Sequence, residues 1–521
     1  MGIPYYFSFL IKNHKNIINN LHNINNIDNL YLDCNSIIYD SIDFKEFENS
    51  VVFEKKLIEK IIFKIKLILE TIKPKKKIII AFDGVPPFAK ISQQKTRRYK
   101  SHYESILKSK SLIWDTCCIT PGTNFMNNLN IQITDYFKNN TKILLTLSDI
   151  PGEGEHKIFE YIRNSDHSND STIIYGMDAD LIMLALNHLQ YCKNIYLYRE
   201  TPIFIKSLNS SLNPEEKYII DINLLGNIIY SELVNNKEEL LTKEEFYYNK
   251  IKDYVFICFM LGNDFLPHFP SINIRINGIT ILLELYKSLF NNKFLTKNNN
   301  IIWSNLKLFI SKLASNEFNF LKNIYDIREK KNNKYYLLNT EEDIENKLLN
   351  LPSIDTSVEK FINIFEDNWE FRYYYSLFDT NIDENKNIIG NICINYLQTL
   401  QWTLNYYSCD CKNWSHYYKY NYPPLLIDLV KHIPYFDSEI ILKEDNNIIH
   451  HYLLLSYVLP KKSLNLLPKK IHDYLLRNYS EHYQENYNIE YAYCKYFWEG
   501  HVKFPDLDIN EFFQNINKLF L

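Results

Sequence analysis

The sequence predicts an α/β fold: a central, mostly parallel sheet flanked by helices, with a helical, aromatic-rich C-terminal region packed against it. Three observations carry this. Over residues 1–290, short apolar runs alternate with helical patterns, as strand–helix–strand units do. Three of those runs, "NLYLDCN", "KKIIIAFDG" and "STIIYGMDAD", read as buried strands. Each ends in acid: Asp33, Asp83, and the pair Asp178 and Asp180. In open α/β sheets the ligand crevice lies beyond the carboxyl ends of the strands, so three unconnected strands deliver carboxylates to one edge.

Residues 1–290 therefore form the expected core. Residues 291–385 are rich in Asn and Lys and read as a helical insert or linker, with "NNKFLTKNNN" and "REKKNNKYY" as solvated loops or inserts rather than binding elements. Residues 386–521 read as a second helical segment, including "NYLQTLQWTLNYYSCDCKNWSHYYKYNYPP". At 521 residues, 46% hydrophobic and 23% charged, the composition is that of a globular protein of one large domain or a few smaller ones. The formal charge of −4 means that any nucleic-acid role must rest on local patches. The nine cysteines form no CxxC pair; Cys117-Cys118 are adjacent, and Cys409 and Cys411 are one residue apart. They read as reduced thiols of an intracellular protein. The most apolar run, "YVFICFML", is far short of the roughly 20 residues a bilayer crossing needs. Gly2 lacks the Ser or Thr that a myristoylation signal wants, because Tyr6 stands there. The heavy use of Asn, Ile, Lys and Tyr suits an AT-rich genome, whether of a eukaryote or of a large DNA virus. The expected location is cytoplasmic or nuclear, or a viral factory or virion.

The acids raise the sharpest question. In "LSDIPGEGEHKIFEYI", Glu153 and Glu155 stand two apart where a helix begins, and the nearest basic side chain is Lys157. Asp178 and Asp180 flank a single alanine, so in extended backbone they point the same way; one could cap the following helix, but not both. Asp264 lies in "FMLGNDFLPHFP", where an apolar helix breaks at Gly262-Asn263. Left bare, Asp33, Asp83, Glu153, Glu155, Asp178, Asp180 and Asp264 would repel one another, and several would have to take up protons. Hard divalent cations remove the conflict, because Mg2+ takes oxygen ligands and keeps some waters. Two such ions about 4 Å apart clamp the attacking and leaving oxygens of a phosphodiester. All seven acids are expected to be ligands and catalytic groups for two Mg2+ ions, with Mn2+ able to substitute. His102, His156 and His268 lie near these motifs but are not needed as ligands; His156 reads as a brace for the Glu153/Glu155 turn.

The segment from Gly84 to Tyr103 holds Lys90, Lys95, Arg97, Arg98 and Lys100 and no acid. As a helix it places Lys90, Gln94, Arg97 and Arg98 at i, i+4, i+7 and i+8, on one face. Such a run is usually a solvated helix face. This one follows Asp83 so closely that it must sit beside the acids, where two arginines, a lysine and an amide can encircle a terminal phosphate.

The ordered set "YLDCNSIIYD", "FDGVPPFAKISQQKTRRYK", "ITPGTNFM", "PGEGEHKI", "YGMDADLIMLAL" and "CFMLGNDFLPH" resembles the signatures of XRN-type 5′→3′ exoribonucleases, within the wider PIN/flap-endonuclease-like nucleases. Further on, "LQTLQWTLNYYSCDCKNWSHYYKYNYPP" and "YVLPKKSLNLLP" resemble the family's second segment, so the likeness spans nearly the whole chain. It implies a processive enzyme that degrades single-stranded RNA carrying a 5′-monophosphate and releases nucleoside 5′-monophosphates. By this resemblance all seven acids match metal positions, and Lys90, Gln94, Arg97 and Arg98 match the 5′-phosphate pocket. Two departures concern base stacking, for which Tyr39, Trp414 and His416 are the candidates. Tyr39 stands where the family usually has His, and "NWSH" replaces "SWxW", which keeps Trp414 and puts His416 at the second aromatic position. Trp402 reads as core. The chain is expected to be a compact, monomeric form without the family's long C-terminal extension, and to have no membrane partner. Single-stranded DNA remains a candidate substrate, because nothing obviously reads a 2′-hydroxyl. The rival readings are a structure-specific flap endonuclease and an inert RNA-binding scaffold.

Overall fold

The three apolar runs become neighbouring parallel strands. In the computed structural model, which describes residues 2–24, 26–107, 113–234, 244–332, 340–385, 387–435, 440, 443–485 and 487–520, the main sheet has seven strands. They are β1 (Ile18–Asn20), β2 (Asn29–Asp33), β3 (Ile78–Ala81), β4 (Ile143–Thr146), β5 (Ser171–Tyr175), β6 (Asn194–Tyr198) and β7 (Tyr218–Asp221). Their order is β1-β7-β6-β5-β2-β3-β4. The run from β6 to β4 is parallel, while β7 pairs antiparallel with both β6 and β1.

Strand side chains alternate between faces, and each face has its own core. Leu30, Leu32, Ile78, Ile80, Ile173 and Tyr175 pack on one side. There they meet Phe53, Leu57, Ile61 and Ile65 of the helix Ser50–Ile72, whose four-residue spacing makes one apolar stripe. The Asn49 side chain caps that helix by accepting from Val52 N. Tyr31, Ile79, Ala81 and Ile174 pack on the other side, against the helices Gly154–Asn164, Asp180–Asn187 and Glu244–Phe259. The long aromatic helix Ile388–Ser408 joins this second core through Tyr396, Leu400, Trp402, Tyr406 and Tyr407. The C-terminal region is thus packed on the α/β core, as the sequence predicts.

The structure adds detail in three places. The region after 386 is helical only in part. Beyond Ser408, residues 409–425 form no helix, and the stretch is pinned as a strap that ends at Pro423-Pro424. Trp414 N donates to Asp445 O, and Phe88 N donates to Trp414 O. Near the end, Asn488–Glu490 and His501–Lys503 form a small hairpin. The segment "NNKFLTKNNN" is not simply solvated: it holds the hairpin Thr296–Lys297/Asn300–Ile301. The buried Asp253 carboxylate anchors it by accepting from Leu295 N, Thr296 N and Thr296 Oγ1. The first part of "REKKNNKYY" continues the helix Glu317–Asn332, and the rest lies outside the described residues. Within 291–385, the helix Trp303–Ala314 buries Trp303, Leu306 and Phe309 in the main core. All nine cysteines are unpaired thiols. Among the described residues, no helix is long and apolar enough to cross a membrane.

Candidate metal centre and substrate cleft

The sheet brings the acids together because its strand order reverses at β2. From there the chain moves out to β3 and β4 on one side and to β5 and β6 on the other, and the crevice lies where the directions part. Asp33 ends β2 in register with Ala81, two residues before Asp83. On the other flank β5 ends at Tyr175, and Asp178 and Asp180 follow, with Asp180 opening a buried helix. Glu153 occupies the N-cap position of the helix Gly154–Asn164, yet its side chain makes no capping bond, so it is not there to cap. Gly154 is required by proximity. Its N–H donates to Asp83 Oδ1 at 2.7 Å, and an added Cβ would stand 2.8 Å from Asp33 Oδ1. Asp264 is presented by a turn in which Gly262 has φ of +86° and Asn263 Oδ1 accepts from Phe265 N and Leu266 N.

The basic partner of this cluster comes from far away in sequence. Lys90 Nζ lies 2.7 Å from Glu153 Oε2 and 2.7 Å from Asp264 Oδ2. Lys157, the nearest candidate in sequence, donates instead to the Phe82 and Leu147 carbonyls, both at 2.9 Å. The Lys90 ammonium does not neutralise the set. Burial first, and Asp83 next, push the Asp33 carboxyl well above its ordinary range. Burial and Glu153 do the same to Glu155. Burial and Asp264 push Asp180 up to about 7, and burial and Glu153 push Asp83 up to about 6. Asp264 goes the other way: burial would raise it, but the Lys90 ammonium holds it below the usual carboxylate range. Asp178 stands at the solvent-open side while adding to the charge on Asp33 and Asp180. The structure therefore gathers all seven acids into one electrostatic cluster.

Several of these oxygens have no donor. Asp33 Oδ1, Glu155 Oε2 and Asp180 Oδ1 are buried without a hydrogen-bond partner. Ligand atoms of Glu153, Glu155 and His156 lie within 4.8 Å of one another. Buried carboxylate oxygens without donors are what a hard divalent cation would satisfy, so the donor set fits such an ion. The His156 ring stacks on Tyr406 with centroids 3.7 Å apart, in keeping with a brace for the glutamate turn.

Beside the acids runs a cleft of about 290 Å³, whose lining includes Gln93, Arg97, Lys100, Asp264, Arg275 and Trp498. The basic stretch is helical, Phe88–Leu107, but it is not a solvated face. Of its five cations only Arg97 is exposed. Lys90 is committed to the acids, and Lys95 is buried between the rings of Tyr457 and Phe504, at 4.2 and 4.3 Å. Lys100 donates to the Trp498 and Gly500 carbonyls. Of the four phosphate candidates, Arg97 lines this cleft, whereas Gln94 Oε1 and Arg98 Nη1 are buried without a partner. Lys90 lies inside the acid cluster.

The stacking candidates separate. Tyr39 is exposed, and Trp414 sits half-buried in the strap. His416 turns inward, its Nε2 2.8 Å from Thr399 Oγ1, and burial lowers it to about 4, so the ring is neutral. Trp402 is core, its Nε1 donating to Asn413 O. Sequence reasoning missed Trp498, which is 36% exposed on the cleft. It stacks on Tyr496 with centroids 6.1 Å apart and lies 6.3 Å from Tyr5, over whose ring sits the Arg275 guanidinium at 4.3 Å. Sequence reasoning also missed Tyr406, whose hydroxyl donates to Glu153 Oε1 at 2.7 Å. Tyr406 lies in the quoted segment "LQTLQWTLNYYSCDC", but nothing in its spacing points to Glu153, and Trp498 lies outside every quoted segment; each acquires its place by a long-range contact.

Fold and site together define an α/β protein with a candidate cation centre at the switch point of its sheet and a cationic, aromatic-edged cleft alongside. Residues 1–201 match the family model for the XRN 5′-3′ exonuclease N-terminus, and residues 247–360 and 338–520 match that for the Xrn1 helical domain. The chain belongs to the XRN 5′-3′ exonuclease family. It is 28% identical to 5′-3′ exoribonuclease 1 of Homo sapiens, over 98% of this chain and 33% of that protein. It is 26% identical to 5′-3′ exoribonuclease 1 of Schizosaccharomyces pombe, over 98% of this chain and 48% of the relative. With 5′-3′ exoribonuclease 2 of the same yeast it shares 24% identity, over 94% of this chain and 70% of the relative. The chain thus spans only a third to a half of the length of the first two relatives.

Proposed function

We propose that this protein is a Mg2+-dependent 5′→3′ exoribonuclease that takes single-stranded RNA with a 5′-monophosphate and releases nucleoside 5′-monophosphates. The observation that carries the reading is the trio of buried, donor-less carboxylate oxygens on Asp33, Glu155 and Asp180, set beside a cleft with an exposed arginine. Family membership supports the reaction class. Asp33, Asp83, Glu153, Glu155, Asp178, Asp180 and Asp264 would hold the cations, which when bound supply Lewis acidity toward the oxygens of a phosphodiester.

The chain's own residues account for the rest. Lys90 bridges Glu153 and Asp264 and fixes their direction. Arg97 offers a charge-assisted contact to a terminal phosphate, and the unpartnered Nη1 of Arg98 on the same helix is a further donor that a phosphate would satisfy, with the Gln94 amide beside it. Trp498 presents a flat face to an incoming base, and Tyr39 a second one outside the cleft. Water attacks the phosphorus, the bond to the 3′-oxygen breaks, and the released nucleotide keeps the old 5′-phosphate. The shortened RNA carries a new 5′-phosphate for the same basic residues, which favours processivity.

The test is digestion, in Mg2+, of 3′-labelled single-stranded RNA bearing either a 5′-monophosphate or a 5′-hydroxyl. Loss of the monophosphate RNA alone, without long intermediates, is the expected result. Equal loss of both, or cleavage at internal positions, would overturn the phosphate reading in favour of an endonuclease.

A further inference from the structure

Two neighbouring tyrosines on the helix Ile388–Ser408 reach acids that belong to separate elements of the α/β core. The Tyr406 hydroxyl donates to Glu153 Oε1 at 2.7 Å. The Tyr407 hydroxyl lies close enough to the Asp180 carboxylate for the two to interact. Both side chains are buried, at 4% and 1% exposure, so neither hydroxyl competes with bulk water for its acid. Their rings are fixed as well. Tyr406 is stacked between Trp402 and His156, with centroids 4.8 and 3.7 Å away. Tyr407 meets Phe259 edge-on at 4.9 Å.

The consequence for Glu153 is specific. One oxygen takes Tyr406 and the other takes Lys90, so its carboxylate plane is set from two sides by residues outside its own helix. Asp180 has a buried Oδ1 without a hydrogen-bond partner, and Tyr407 is the neighbouring hydroxyl on the docked helix. We propose that Tyr406 and Tyr407 are positioning residues of the acid cluster, orienting Glu153 and Asp180 so that divalent cations bind a preset arrangement, and that cation affinity therefore depends on the docked helix Ile388–Ser408. This rests on the reading of the cluster as a metal centre. Groups that orient metal ligands in this way typically change affinity 10- to 100-fold when removed. Neither tyrosine touches substrate in this role; each acts through a carboxylate.

The experiment is Mn2+ titration of the RNA-free protein, followed by electron paramagnetic resonance, for the wild type and for Tyr406→Phe and Tyr407→Phe. Phenylalanine keeps the stacked ring and removes only the hydroxyl. The expected result is Mn2+ binding by the wild type and about 10-fold weaker binding by each variant. In parallel, RNA hydrolysis by the variants should be lost at low Mg2+ and recover as Mg2+ approaches saturation. A merely structural role would lower the rate at every Mg2+ concentration without moving the Mn2+ curve, and that result overturns the proposal. Wild-type affinity in both variants overturns it too, while leaving the metal centre intact. A wild type that binds no Mn2+ overturns both readings together.

Discussion

Withdrawing divalent cations should make the fold lose stability as the solution becomes more alkaline, and the size of the effect follows from the acid cluster. Without metal, Asp180 is pushed from an ordinary 3.8 up to about 7, by burial first and Asp264 next. Asp83 reaches about 6 for similar reasons. A carboxyl whose folded value exceeds its unfolded value binds more protons in the folded state between the two. Its contribution is therefore complete near pH 3.8 and is lost as the pH rises toward 7. Asp180 is 2% exposed, and its rise corresponds to about 4 kcal/mol. For a chain of this length that is about 4 °C in Tm. A bound cation replaces the protons, so Mg2+ should raise Tm more at about pH 8 than at about pH 5.5. Glu317 drifts with the same sign, because burial raises it to about 7, but its carboxylate accepts from Leu426 N and Ile427 N outside the acid cluster. The decisive quantity is thus the Mg2+-dependent difference between the two pH values, measured by thermal melts in EDTA and in Mg2+. An equal Mg2+ shift at both, or a Tm in EDTA that rises with pH, would refute the argument that these acids are held for cations.

Asp178→Ala should lower RNA hydrolysis at least ~1,000-fold while leaving Tm within a few degrees, because Asp178 is solvent-exposed; normal cleavage would refute its assignment. Gly154→Ala should cost activity, since the new methyl would stand 2.8 Å from Asp33 Oδ1 and must displace it. A turnover assay alongside a melt separates that loss from overpacking, which typically costs about 1–3 kcal/mol. Trp498→Ala should weaken single-stranded RNA binding by about 1–3 kcal/mol, read as Kd, and leave Mn2+ affinity unchanged. His416→Ala should leave Kd nearly unchanged, because its ring is turned to Thr399.

How much of this was legible in the residues depended on range. The strands around Asp33, Asp83 and Asp178 were legible because parallel strands buried on both faces read as continuous apolar runs. The acids were legible because they stand at element ends where a fold has no structural use for them. The basic helix was legible as a helix, but its role was not. Periodicity put Lys90, Gln94, Arg97 and Arg98 on one face, yet only the packed molecule sends Lys90 into the acids and Arg97 to the cleft. Stacking was the weakest reading, because exposure of an aromatic ring depends on what covers it. Trp414 and His416 look alike by spacing, and tertiary contacts turn His416 inward and leave Trp498 open.

Local sequence determined the strands, the glycine turns and the seven carboxylates, since each depends on hydrogen bonds and sterics among near neighbours. Tertiary structure decided which charges meet. Lys90, Glu153, Asp264 and Tyr406 come from four separate elements, and their contacts of 2.7 Å exist only once the sheet order and the docked aromatic helix are in place. Electrostatic and hydrogen-bond energies fall off within a few ångströms, so they record the finished packing, and no pattern along the chain encodes them one residue at a time.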